Sequence, residues 1–331
     1  MPEEVLTAAR DQGVLLLLAD RLGIESFGGE LREAAVLDAV SAAELRTLLD
    51  AMAEAGVCPI VLKGAALAFT HYDRPELRPR IDIDLMIASD ASEAVARVLT
   101  GRGYHRPLEI DGKIAIGQVH FVRTDRYGVT HVIDVHWRVS NVRVFGDVLT
   151  YEELMRDAVG IPALGPHALG ASSVHALLIA CIHRVAHHAD TTHLLWLFDI
   201  HLLAGSLTEA DRQAFVALAS AKSVRAVCAR SLTLARDAFA GLDDAWIDSL
   251  TTSHASQEPT ATFVGGGLRQ VDILWSDLGA TAWGSRVQLL REHLFPPASY
   301  MRERYPGWPA LLLPLAYARR IVAGAPRWLR R

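Results

Sequence analysis

Asp82 and Asp84 stand two residues apart inside RPRIDIDLMI, the run from Arg78 to Ile87. An apolar strand gains nothing from carboxylates, because desolvating an unpaired charge is costly. Residues two apart on a strand point to the same side. Asp82, Asp84 and Met86 therefore share one face, and Ile81, Ile83, Leu85 and Ile87 share the other and are expected to fill a core. Two carboxylates side by side repel unless a cation sits between them. A hard divalent ion with oxygen ligands, Mg²⁺ or Mn²⁺, would remove that penalty.

A second stretch, THVIDVHW at 130–137, repeats the pattern. Val132, Asp134 and His136 share a face, with Ile133, Val135 and Trp137 opposite. If the two strands are neighbours, Asp134 reaches the Asp82/Asp84 face. Three carboxylates on adjacent strands suit two metal ions about 4 Å apart and in-line phosphoryl or nucleotidyl transfer. Upstream, VLKGAALA runs from strand to helix at Lys63–Gly64. Gly64 permits close backbone approach, and the helix N-terminus offers free N–H groups to a phosphate. Lys63 adds a point charge with no carboxylate partner nearby in sequence, so Asp84 and Asp134 are its candidate partners in three dimensions.

In this order, VLKGAALA, DIDLMI and IDVHW resemble the uncharacterised bacterial nucleotidyltransferases of the DNA polymerase-β superfamily. The resemblance implies transfer of a nucleoside monophosphate from an NTP such as ATP, with Mg²⁺ or Mn²⁺ and release of pyrophosphate. It implies Asp82, Asp84 and Asp134 as the catalytic, metal-holding carboxylates. It implies Lys63, Gly64, Ala65 and Arg78 on the nucleotide. The superfamily's glycine–serine is Gly64–Ala65 here, so no hydroxyl follows the glycine. The acceptor, a small molecule, peptide or protein offering a hydroxyl or phosphate, is left open. A nucleotide-binding module without turnover, and a member that adenylylates a partner protein, are the alternatives.

These residues need a scaffold. Residues 1–55 read as helical, with Ser41 and Glu44 as a capping box for a helix over 42–55. Residues 56–150 read β-α-β-α-β-β, with Asp90 and Glu93 capping the second helix, which runs to about Thr100, and a turn at Asp125–Gly128 between the last two strands. Residues 151–331 read as helical. The expected fold is α+β: a small mixed sheet with flanking helices, then a helical C-terminal domain.

Within that domain, HRVAH at 183–187 has arginine where a zinc-protease motif needs glutamate, which argues against zinc. His183 and Arg184 are expected to line the cleft or brace the domain contact. Asp199, on an apolar helix, needs a partner if buried, with Arg184 or His183 as candidates. The chain ends on five arginines and no acid after Ala310, with Pro314 and Pro326 expected to interrupt any long amphipathic helix.

A net charge of −5 over 331 residues argues against general nucleic-acid binding. Three scattered cysteines, no basic leader and no long apolar run point to a reducing cytoplasm and no membrane span.

Overall fold

The computed structural model describes residues 2–107, 115–251 and 254–329. At its centre is one mixed sheet of six strands: β1 Ile60–Leu62, β2 Ile83–Met86, β3 Gln118–Thr124, β4 Thr130–His136, β5 Val159–Gly160 and β6 Leu169–Gly170. Their spatial order is β3-β4-β2-β1-β6-β5. Two-residue β5 and β6 extend the sheet past the 56–150 segment expected to supply it. β2 runs antiparallel to β1 and parallel to β4, and β3 and β4 form an antiparallel hairpin. Asp125 closes that hairpin by accepting from the N–H groups of Tyr127 and Val129, and Gly128 takes the positive φ of the turn.

Strand alternation divides the core. Val61, Ile83, Leu85, Ile87, Ile133 and Val135 pack on one side with Leu45, Leu48 and Met52 of the Gly28–Glu54 helix and with Val95 and Leu99 of the Ser92–Gly101 helix. Ile60, Leu62 and Met86 pack on the other side against apolar residues of the Ser173–His188, Leu194–Ser206 and Arg225–Ala238 helices. The carboxylates lie on this second side, between sheet and helices.

Four details differ from the sequence reading. Ile81 precedes β2 and is 89% exposed, so it fills no core. The helix expected from residue 42 begins at Gly28, because the intervening Ala- and Leu-rich stretch is itself a good helix former. Ser41 is therefore interior, not a cap. Asp90 makes no capping bond, since a 3₁₀ turn over Ser89–Ala91 feeds straight into the next helix. Near the C-terminus, a helix runs unbroken over Leu313–Leu329. Pro314 falls in its first turn, where a missing N–H costs nothing. Arg320 Nη1 of this helix donates to His293 O at 3.0 Å, and the Arg319 guanidinium lies over the Tyr305 and Trp308 rings. Arg330 and Arg331 lie outside the described residues.

Candidate functional site

Parallel pairing of β2 and β4 sets Asp84 directly beside Asp134 and Met86 beside His136. Hairpin pairing then sets His120 opposite Asp134 and Gln118 opposite His136. Two registers thus gather five polar side chains, Asp84, Asp134, His136, His120 and Gln118, on one face. Ligand atoms of Asp84, Asp134 and His136 come within 4.8 Å of one another. All three residues are buried.

Hydrogen bonds hold the group tightly. His136 Nε2 lies 2.7 Å from Asp84 Oδ1 and 3.3 Å from Asp134 Oδ2. Both partners are carboxylates, so Nε2 carries the proton. Gln118 Nε2 donates to Asp134 Oδ2 at 2.9 Å, and His120 Nδ1 lies 3.0 Å from Asp134 Oδ1. Lys63 Nζ donates to Asp84 Oδ1 at 2.7 Å. Lys63 reaches it from the junction of β1 and the Lys63–Thr70 helix, with φ +50°. A left-handed conformation costs a non-glycine residue about 1–2 kcal/mol, and here it aims the ammonium at the carboxylates.

These contacts split the three aspartates. Burial and the neighbouring Asp84 charge raise the Asp82 carboxyl above the usual range. For Asp84 burial pushes the same way, but Lys63 and His136 outweigh it and hold the carboxyl low. Hydrogen bonds from His120 and His136 likewise overcome burial at Asp134. For the His136 imidazole, burial and Lys63 push its pKa down, yet its bonds to Asp134 and Asp84 win and raise it. Asp82, one residue before β2, is not part of the converging trio; His136 is. Asp82 lines the same cleft, and its charge is felt by Arg78.

That cleft has a volume of about 1040 Å³. Its floor carries Lys63, Gly64, Asp82, Asp84 and Asp134, and its helical wall carries His183, His187, His188, Trp196 and Asp199. His188 stacks on Trp196 with ring centroids 3.7 Å apart, and His183 Nε2 lies 3.0 Å from His188 Nε2. Burial, reinforced by the Lys63 charge, pulls His187 and His188 down to about 4, so these two imidazoles are uncharged at neutral pH. Among the described residues, Asp84, Asp134 and His136 are the one convergent group of potential metal ligands.

Two expected partnerships fall elsewhere. Asp199 is held by Arg78, not by Arg184 or His183: Arg78 Nε and Nη2 reach its two oxygens at 2.9 and 2.7 Å. Arg184 is fully buried away from the cleft and pairs with Asp190, Ser231 and Thr191 O. Ala65 is buried beside Gly64. Gln118 and His120 escaped the sequence reading. Counting back from the Asp125–Gly128 turn would have found them, since it sets both opposite the Asp134/His136 face.

The donor set fits a hard divalent cation: carboxylates dominate, one imidazole joins them, and the positive charge now neutralising Asp84 comes from Lys63 and His136. No helix among the described residues is long and apolar enough to cross a membrane. No curated protein matches the chain. A family model described as uncharacterised nucleotidyltransferase matches residues 2–240, and the chain belongs to that family.

Proposed function

We propose that the protein transfers a nucleoside monophosphate from an NTP to an acceptor hydroxyl or phosphate, releasing pyrophosphate. The observation that carries this reading is the β2/β4 register, which brings Asp84 and Asp134 together beside Lys63 on a cleft floor. Asp84, Asp134 and Asp82 would hold Mg²⁺ or Mn²⁺, with His136 orienting the first two. When bound, the metal would offset the charge that develops on the oxygens during in-line transfer.

The chain's own groups do the rest. Lys63 balances Asp84 in the free protein and turns to the phosphates when a nucleotide enters. The first N–H groups of the Lys63–Thr70 helix and the Arg78 guanidinium complete the phosphate side. His120 and Gln118 fix the Asp134 carboxylate, so its lone pairs point where the acceptor oxygen must lose its proton. The histidine- and tryptophan-lined part of the helical wall excludes water and selects the acceptor. Three free cysteines, two of them buried, suit a reducing cytoplasm.

A second reading, nucleotide binding without turnover, draws on one observation: Lys63 and His136 already compensate Asp84 with no metal. Incubation with each α-labelled NTP and Mg²⁺ or Mn²⁺, with cell extract as acceptor source, separates the two. Label transfer with pyrophosphate release supports the enzyme. Metal-dependent binding with neither supports the binding module.

A further inference from the structure

Arg78 sits on the loop before β2, yet its guanidinium is set by a residue 121 positions away. Nε lies 2.9 and 3.1 Å from the two Asp199 oxygens, and Nη2 lies 2.7 Å from Oδ2. Nη1 donates to Pro79 O at 2.6 Å. Tyr72 OH donates to Asp199 Oδ1 at 2.7 Å, so the carboxylate is itself held from behind. Arg78 and Asp199 are buried, and both border the cleft.

Gly64 lies beneath this plate. A Cβ on Gly64 would come 3.0, 3.1 and 3.2 Å from Nη1, Cζ and Nη2 of Arg78. Near-equal distances place that Cβ over the Nη1–Nη2 edge of the guanidinium. A larger residue here would push the guanidinium aside by a few tenths of an ångström, so glycine lets the arginine lie close against the turn. A guanidinium has five N–H donors. The contacts above take one each from Nε, Nη1 and Nη2. One N–H on each terminal nitrogen has no protein acceptor among the described residues. They flank the N-terminus of the Lys63–Thr70 helix, whose dipole also favours an anion there.

We propose that Asp199, backed by Tyr72, is a positioning residue for the nucleotide's triphosphate. It clamps Arg78 flat on the Gly64 turn and turns the two remaining N–H groups toward the phosphates. This rests on the nucleotidyltransferase reading and adds to it that the helical wall controls the phosphate side of the site. A carboxylate on Leu194–Ser206 thereby makes triphosphate affinity depend on how that helix sits against the sheet.

The test is a double-mutant cycle on the full chain with Asp199→Asn, Arg78→Lys and both, plus Tyr72→Phe. Affinities for Mg²⁺–tripolyphosphate and Mg²⁺–ATP are measured by calorimetry, beside each variant's melting temperature. Asp199→Asn is expected to weaken both ligands by about tenfold, and Tyr72→Phe by about two- to threefold. Arg78→Lys lacks the planar fork and should match Asp199→Asn, with the double variant no weaker than either single. Unchanged affinities with a lowered melting temperature, or losses that multiply in the double variant, would overturn the proposal and leave a structural brace. If Asp199→Asn fails to fold, Tyr72→Phe decides: unchanged affinity rejects the positioning role. A wild-type protein that binds neither ligand overturns the nucleotidyltransferase reading itself, and this inference with it.

Discussion

Two buried ion pairs in this molecule look alike and differ in kind. Arg184 and Asp190 sit in the helical core. Arg184 Nε and Nη2 reach Ser231 Oγ, its Nη1 reaches Thr191 O, and Asp190 also takes Arg230 Nε and the Gly265 N–H. Asp190 follows the Ser173–His188 helix with φ +59°, so the backbone itself is bent to deliver it. Protein groups surround Arg184 and Asp190, neither borders the cleft, and of their partners Arg230 reaches solvent. Lys63 and Asp84 form the other pair. Here one lysine and two histidines, His120 and His136, face three aspartates, only the lysine carries a fixed charge, and the group borders a cleft. A pair enclosed by fixed protein partners braces a fold. An under-neutralised pair at a cleft can accept a cation or trade its lysine to an anion. Burial alone does not tell them apart; charge balance and access do.

The sharpest break of that comparison is Asp84→Asn or Asp134→Asn. Either should cut metal-dependent NTP turnover on the order of 10³-fold, equivalent to about 4 kcal/mol in the barrier. Pyrophosphate release from labelled NTP reads it, and near-normal turnover in either variant would end the assignment. Asp84→Asn should also lower stability without metal, because it strands the Lys63 charge.

Next comes Arg184→Leu. Removing one partner of a buried pair costs about 3–5 kcal/mol of stability. Urea denaturation should show that loss, while the affinity of the folded fraction for Mg²⁺–ATP stays at the wild-type value. A large affinity change would mean that the two pairs are not separable as brace and site.

How much of this was readable beforehand follows physical range. The strand faces came from period-two alternation, and the turn at Lys63–Gly64 from a local change of pattern. Both are set by neighbours in sequence. The parallel register of Asp84 with Asp134 could be hoped for from matching parity, but only the folded sheet fixes it. The Arg78–Asp199 clamp joins residues on separate elements and leaves no local trace. Ile81 fitted the alternation yet lies outside β2, since a strand's first residue depends on where its partner ends. Ser41 carried a cap signature that the helix propensity of the preceding residues overrode.

Asp82→Asn sharpens the comparison from the other side. Asp82 is raised by burial and by Asp84, so its charge is a burden in the free protein, where that of Asp84 is compensated. Its removal should give a small rise in melting temperature without metal, together with loss of metal-dependent turnover. A fall in melting temperature would show that Asp82 is held by cations as firmly as Asp84.

The smallest expected effect lies at a third kind of buried carboxylate, one with neither an enclosing set of partners nor a cleft. Asp277 on the Gln270–Ala280 helix accepts the Arg143 N–H at 2.7 Å, and burial raises its carboxyl to about 6. The folded chain therefore binds this proton more tightly than the unfolded chain does. Its stabilising contribution is full below the unfolded value near 3.8 and is lost as pH rises through about 6. Two pH units correspond to about 3 kcal/mol. Relaxation of the site around the ionised carboxylate, at the effective dielectric of about 20 that buried groups feel, brings that to the order of 1 kcal/mol. Asp277→Asn keeps an oxygen for the Arg143 N–H and removes the charge. At about pH 7.5 the variant should be more stable than the wild type by the order of 1 kcal/mol, and the gap should close toward about pH 4. Urea denaturation of both proteins across that range reads the difference. Parallel pH profiles would mean that Asp277 ionises in the folded chain as freely as in water, and that a backbone N–H alone can hold a buried carboxylate.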